Sequence, residues 1–404
     1  MARTSGPPPD TGGVTCAGTI DAPGLPGPAQ TGPDRIGPDE ENLPGRQRSL
    51  GLDVLRGLVV GWLLLVVYAP ATELRGHAAW FGWDHSDVFF PMFLLLAGMG
   101  LAMQTTRGMP WPRLLRRFVS LFVLGLAVNA WLGAGPDVSQ LRVMGVLQRI
   151  AVAGLVGAVV VALVRRRWWA VQIAAIVAAL AWGIALAVAS SGCPGGLPTP
   201  DGCGTFYDLD LAAFGSDHTY GLGQAGHDPE GLASSLGAVA SFLAGYAAAA
   251  LLHALRNRPV PQRVAGLLGL AGSWMVLFPL LLQLQPVAKR LWTPSFISVH
   301  AALGIALLAF AVLLFDMPRS SWGRRAATIA SGPLVALGRN ALVLWVSIFV
   351  AGKVLQTTTV GAAAVPLGTH LLQFYGPGGY FLLTAGVTWV IAATMHVSRW
   401  YVRF

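Results

Sequence analysis

Ten apolar runs recur along this 404-residue chain, each about 17–25 residues long and so long enough to span the hydrocarbon of a bilayer. They fall near 52–70, 87–104, 115–133, 143–164, 168–190, 232–255, 264–285, 295–315, 329–352 and 379–398. Backbone N–H and C=O groups inside lipid must be satisfied within their own segment, which leaves the α-helix as the form for runs of this length. The expected fold is therefore all-α: a polytopic membrane protein of about ten transmembrane helices. Composition agrees. The chain is 54% hydrophobic and 11% charged, where a soluble domain carries roughly a quarter charged residues. An even number of crossings puts both termini on one side.

Arginine says which side. Of the 27 basic residues only Lys289 and Lys353 are lysines. Arg107, Arg113, Arg116 and Arg117 fall in the second loop, and Arg165, Arg166 and Arg167 in the fourth. Arg256, Arg258 and Arg263 occupy the sixth, and Arg319, Arg324 and Arg325 the eighth. The odd loops hold few: Arg75, then Arg142, then Lys289 and Arg290, then Lys353, with none in 191–231. The positive-inside rule makes the even loops and both termini cytoplasmic. The net charge of +9 is thus topology signalling and does not point to nucleic acid. Residues 1–47, rich in Pro, Gly and Asp, read as a disordered cytoplasmic tail with no apolar core of a signal peptide. Residues 48–404 form the transmembrane domain, with 191–231 as an extracytoplasmic loop. Cys193 and Cys203 lie in that loop, where a disulfide is plausible, while Cys16 falls on the reducing side.

The second run is preceded by HAAWFGWDHSD (77–87), two His and two Asp at the mouth of a membrane helix. Ionisable groups there are costly to desolvate and mark a candidate site. Imidazole suits proton transfer near neutrality, and spacing alone does not choose between His77 and His85. Elsewhere Asp53 and Arg56 share a face of the first helix, as a local ion pair or as a seat for a phosphorylated cofactor. Arg149, after Gln148 and about two turns inside the fourth run, needs a carboxylate or a ligand. Arg339 and Asn340, near the middle of the ninth run, pose the same question. His227, Asp228 and Glu230 precede the sixth run, as helix caps or as substrate contacts. Lys289, Arg290 and Trp292 precede the eighth, Trp292 also reading as an interfacial anchor.

Six stretches together resemble the heparan-alpha-glucosaminide N-acetyltransferase-like membrane proteins. They are SLGLDVLRG (49–57), HAAWFGWDHSDVFFPMF (77–93), RVMGVLQRIAVA (142–153), HDPEGL (227–232), KRLWTPSF (289–296) and GRNAL (338–342), in family order. The resemblance departs at Val67, where many relatives carry Asn, and at Asp84, where Thr is usual. The resemblance is to a bacterial-type member, expected to lack the large luminal domain of the animal enzyme. What it implies is a dimeric membrane acetyltransferase of a bacterial plasma membrane. Such an enzyme moves an acetyl group from cytoplasmic acetyl-CoA, its cosubstrate, to an extracytoplasmic amino sugar or glycan, without a metal. The family's His falls on His77, as general base or acetyl acceptor, and its Asp on Asp87. Contacts to the acceptor are expected from Trp80, Asp228, Glu230, Lys289 and Trp292. Contacts to acetyl-CoA are expected from Asp53, Arg56, Arg142, Gln148, Arg149, Arg339 and Asn340. The alternatives are a membrane O-acyltransferase acting on envelope sugars and, in a different class, a transporter of an anionic substrate.

Overall fold

The computed structural model describes residues 49–68, 76–133, 138–317, 320–361 and 364–401, the side chains of 321 and 324 excepted. The tail expected at 1–47, Arg75 and Arg319 lie outside these. The described residues form α1 (Leu50–Tyr68), α2 (Phe89–Gln104), α3 (Trp111–Leu132), α4 (Val146–Leu163), α5 (Trp168–Ala189) and α6 (Tyr207–Phe214). There follow α7 (Ser235–Ala254), α8 (Val260–Leu284), α9 (Pro294–Phe315), α10 (Ser321–Arg339), α11 (Ala341–Thr357) and α12 (Leu367–Val397). A two-residue hairpin of β1 (Thr359–Val360) with β2 (Val365–Pro366) joins the last two helices. Among the described residues nine helices are long and apolar enough to cross a membrane, and α10 with α11 brings the number to ten. The all-α polytopic expectation holds.

One helix lies at the centre. Every residue of α7 from Gly237 to Ala249 is buried, because its small side chains let neighbours approach on all sides. Gly98 of α2 faces the backbone of Phe242, and Gly245 of α7 faces that of Leu95; a Cβ on either glycine would overlap the opposite carbonyl. Lipid offers helices no hydrophobic drive to associate, so close backbone packing of this kind supplies the attraction. A second apolar cluster, around Val60, Leu63, Leu344 and Trp345, joins α1 to α11 and α12.

Polar contacts divide the helix ends into two sets. At one end Ser49 Oγ donates to Asp316 (2.8 Å), Arg263 donates to the same carboxylate (3.0 Å), and Arg166 donates to the Thr105 carbonyl (2.8 Å). This is the Arg-rich end. At the other, Trp80 donates to the Pro198 carbonyl (2.9 Å) and Gly82 N–H to that of Val287 (2.5 Å). The 191–231 segment folds over this end. The Cys193–Cys203 disulfide closes its start, and α6 docks through Asp210, whose Oδ1 accepts the Leu232 N–H (2.6 Å).

The ninth run differs from the single span expected at 329–352. The helix breaks at Asn340, and α10 and α11 meet at 70°. Asp316, just before α10, and Arg339, at its end, both touch the first turn of α1. So α10 ends at the Arg-rich end, and α11 leads away from it: Tyr68 at the far end of α1 donates to the Ile348 carbonyl (3.1 Å). Arg339 and Asn340 accordingly sit at a helix end, Arg339 between Asp53 and the Tyr401 hydroxyl and Asn340 donating to the Trp400 carbonyl.

Candidate active site

The stretch from His77 to Asp87 is held at two points. Gly82, at φ +92°, pairs in register with Ala288 of the α8–α9 loop. A short 3₁₀ turn at His85–Asp87 is closed by Asp84, which accepts from the His85 N–H (2.6 Å) while Asp87 accepts from the Asp84 N–H (2.9 Å). Asp84, where the resemblance departs, is therefore a cap. Val67, the other departure, packs in the α1–α11–α12 cluster.

Four donors converge on the wholly buried Asp87. Its Oδ2 accepts the N–H groups of Ala78 (3.1 Å) and Asp84, and its Oδ1 lies 2.6 Å from His77 Nδ1 and 3.0 Å from Lys289 Nζ. An ionised carboxylate only accepts, so its partner must be the protonated Nδ1 of His77. Lys289, 3.1 Å from that nitrogen, also only donates and so turns to Asp87. Ser86 Oγ lies 2.7 Å from Nδ1 and donates to the Gly76 carbonyl. The contacts of the ring gather on one nitrogen. Among the described residues Nε2 has none, and its lone pair is available to accept a proton.

His85, two residues from Asp87, is exposed and has no carboxylate partner among the described residues; its ring meets Trp62 edge-on at 6.3 Å. The two histidines thus differ in their surroundings: His77 pairs with a buried carboxylate, and His85 does not.

A second polar group adjoins the first. Arg142 donates to Asp228 (2.5 Å) and to Glu230 (2.7 Å) and lies over the Tyr220 ring (4.7 Å). Asp228 accepts from the Glu230 N–H (2.8 Å). These acids are thus not caps of α7, which starts only at Ser235. Burial pushes Asp228 up from the usual carboxylate range. Burial also raises Glu230, but Arg142 and then Arg149 outweigh it and hold that carboxyl below its ordinary value. Trp80 joins the two groups, meeting His227 edge-on at 5.0 Å, and Arg290 donates to Nε2 of His227 (3.2 Å). With Nδ1–H turned to the Ala225 carbonyl (2.8 Å), His227 is neutral, and burial lowers its proton affinity further.

Arg149 sits in the first turn of α4, which begins at Val146, and not two turns deep. It is fully buried, donates to Ser234 and to the Gly231 carbonyl (3.3 Å), and lies 5.0 Å from the Trp292 ring. Trp292 is equally buried, donating to Ser241 (3.1 Å). It is a wall of the core; the interfacial-anchor reading is excluded by its burial. Beside them Gln148 has both amide atoms buried without a hydrogen-bond partner among the described residues. It lines a cavity of about 190 Å³ with Asn129, Arg142, Glu230, Trp345 and Phe349.

The residues expected around acetyl-CoA therefore divide. Arg142, Gln148 and Arg149 share the His77 end, whereas Asp53, Arg56, Arg339 and Asn340 lie at the Arg-rich end. There Arg56 pairs with Asp53 (3.3 Å), Arg339 Nε lies 3.8 Å from Asp53, and Arg339 donates to the Tyr401 hydroxyl (2.9 Å). Asn340 donates to the Trp400 carbonyl (3.3 Å). Sequence reasoning missed Arg117, whose guanidinium converges with that of Arg56 on Gly100 of α2. Nothing in its spacing marked it off from the loop arginines. It also missed Ser86 and Tyr220, which only the folded loops bring into place.

Residues 48–194 match the family model described as heparan-alpha-glucosaminide N-acetyltransferase, catalytic. That span includes His77, Asp87, Arg142, Gln148 and Arg149. The chain is also similar to the heparan-alpha-glucosaminide N-acetyltransferase of Homo sapiens, at 24% identity over 331 residues covering 68% of this chain and 49% of the relative. It spans about half the length of that curated relative. Both matches fall on the group of proteins that the six collinear stretches resemble, and the resemblance to the heparan-alpha-glucosaminide N-acetyltransferase family is thereby borne out.

Proposed function

We propose that this chain is a membrane acetyltransferase that carries an acetyl group from acetyl-CoA at the Arg-rich, cytoplasmic end to an amino sugar or glycan at the His77 end. The observation that carries the reading is the His77–Asp87 pair (2.6 Å), in which a buried carboxylate fixes the tautomer and leaves Nε2 to act. An acyl thioester supplies an activated acetyl group. As the acceptor's C–N bond forms and the C–S bond breaks, Nε2 of His77 takes the acceptor's proton and returns it to the departing sulfur. Asp87 orients the ring and stabilises the imidazolium formed in between.

The residues present fit the cosubstrate. Unpaired buried amides are rare in folded proteins, and Gln148 offers a donor and an acceptor to a chain that itself carries amides. Arg56 and Arg117 present two guanidiniums where phosphates would rest. Trp80, Asp228, Glu230 and Lys289 surround the approach from the other side; acids there suit an ammonium or hydroxyl-rich acceptor. Sidedness follows the arginine distribution, and the homodimer and the bacterial plasma membrane follow the resemblance.

The test is release of CoA by the purified chain in nanodiscs given labelled acetyl-CoA and a panel of amino sugars and sugar alcohols. Acetylated amino sugar is the expected product. Binding of acetyl-CoA with no transfer to any member, or uptake of sugar into vesicles without acetyl-CoA, would overturn the reading.

A further inference from the structure

A separate cavity lies at the opposite end from His77 and takes no part in the chemistry above. It measures about 440 Å³ and opens between the ends of α2, α4, α5 and α7. Its charge is one-sided. Arg165, Arg166 and Arg167 line it, with Thr105, Tyr246 and His253, and no acidic residue is in the lining. Three cations around one concavity make a strong local positive potential.

The three arginines are not equivalent. Arg166 is occupied, donating to the Thr105 carbonyl (2.8 Å) where α2 ends. Arg165 and Arg167 have no ion-pair partner among the described residues; Arg167 lies 5.9 Å from the Trp169 ring. Arg165 and Arg166 both stand at positive φ, 55° and 59°, a conformation that side chains with a Cβ seldom adopt. The turn between α4 and α5 thereby brings all three arginines into the lining of the cavity. The floor is polar as well: the hydroxyls of Thr105 and Tyr246 lie 3.1 Å apart.

Depth limits what fits. Above the floor, α2 and α7 close on each other at Gly98 and Gly245, so the cavity offers no passage between them for a long chain. Its rim is aromatic, with Trp168 and Trp169 at the start of α5, as at a membrane–water interface. A free phosphate ion would fill only a fraction of the volume. Basic pockets between helix ends with an apolar rim suit a phosphate carried on a lipid.

We propose that this pocket is a binding site for a phosphate group, contacted by Arg165 and Arg167 and borne by an anionic lipid headgroup. The proposal is independent of the acetyl-transfer reading.

The full chain is reconstituted in nanodiscs of phosphatidylcholine alone, of phosphatidylcholine with phosphatidylglycerol, and of phosphatidylcholine with millimolar inorganic phosphate in the buffer. The melting temperature is read in each. Phosphatidylglycerol is expected to raise Tm by several degrees. The pair Arg165→Gln with Arg167→Gln should lose more than half of that rise while keeping its Tm in phosphatidylcholine. A control pair that removes equal charge at the same end, Arg113→Gln with Arg258→Gln, should keep the rise. A rise produced by inorganic phosphate and lost in the pocket pair would keep the phosphate site and reject the lipid source. A pocket pair that retains the full rise, or a control pair that loses as much, overturns the proposal. The single variants carry the same reading should the pocket pair fail to fold, and retained phosphatidylglycerol counted by native mass spectrometry gives a second measure.

Discussion

His77 Nδ1 lies 2.6 Å from Oδ1 of Asp87, and the two side chains differ in exposure, 46% for His77 and 0% for Asp87. One member of the pair is locked and the other faces outward. That asymmetry is what a base presented to an external acceptor requires: orientation from below, access from above.

His77→Ala should lower turnover by at least about 100-fold, since a general base contributes roughly 10²–10⁴. His85→Ala should change it little, because that ring meets Trp62 edge-on and holds no carboxylate among the described residues. Steady-state CoA release from both variants decides it. Equal, small losses would move the base elsewhere.

Asp87→Asn preserves shape and removes charge. Its amide cannot be an acceptor to all four donors, so the His77 tautomer is no longer fixed. A loss in kcat of about 100-fold or more is expected, comparable to a change at the base itself. Binding of acetyl-CoA, measured by calorimetry, should be unchanged, since the contacts proposed for its phosphates, Arg56 and Arg117, lie at the other end.

Arg142→Met leaves Asp228 and Glu230 buried without their cation. Breaking a buried pair by removing one partner costs about 3 kcal/mol or more, and a clear drop in Tm should follow. A triple change, Arg142→Met with Asp228→Asn and Glu230→Gln, should recover much of it. Recovery of none would mean that Arg142 acts through packing on Tyr220 alone.

Arg117 and Arg149 should respond in opposite ways. Arg117→Gln is expected to weaken acetyl-CoA binding with Tm nearly constant. Arg149→Met should lower Tm, because Arg149 is fully buried against Trp292 and Ser234. An Arg117→Gln variant with normal affinity would detach that residue from the cosubstrate.

Burial pushes Asp210 up to about 6 from an ordinary 3.8. Between those values the folded protein holds the proton more tightly than the unfolded chain does, so stability falls as pH rises from about 4 to about 6 and is level above. Asp210→Asn keeps an acceptor for the Leu232 N–H and removes the charge. It should melt higher than the parent at pH 8 and show no advantage at pH 4. A parent melting curve that rises over this range relative to the variant would contradict the assignment.

Much of this architecture was legible in the chain itself. Apolar runs long enough to span lipid force helices, whatever their neighbours, because no other backbone form satisfies its own hydrogen bonds there. Arginine counts in the loops likewise sort the ends without any tertiary knowledge. The six collinear stretches located the region of His77 and Asp87. Two limits were physical. Length and hydropathy do not register a bend, so α10 and α11 read as one run although they meet at 70°.

Pairings between distant stretches were the other limit, and the tertiary structure alone decided them. Lys289 reaches Asp87 and Arg142 reaches Glu230 only because helices far apart in sequence end side by side. The different surroundings of His77 and His85 have the same origin. Both imidazoles have the same chemistry and neighbouring positions, and a buried carboxylate distinguishes them only once the loop has closed over it. A sequence records which side chains are available. Which atoms share a hydrogen bond depends on packing distances of a few ångströms, and those are set when α2, α7 and the loops above them meet.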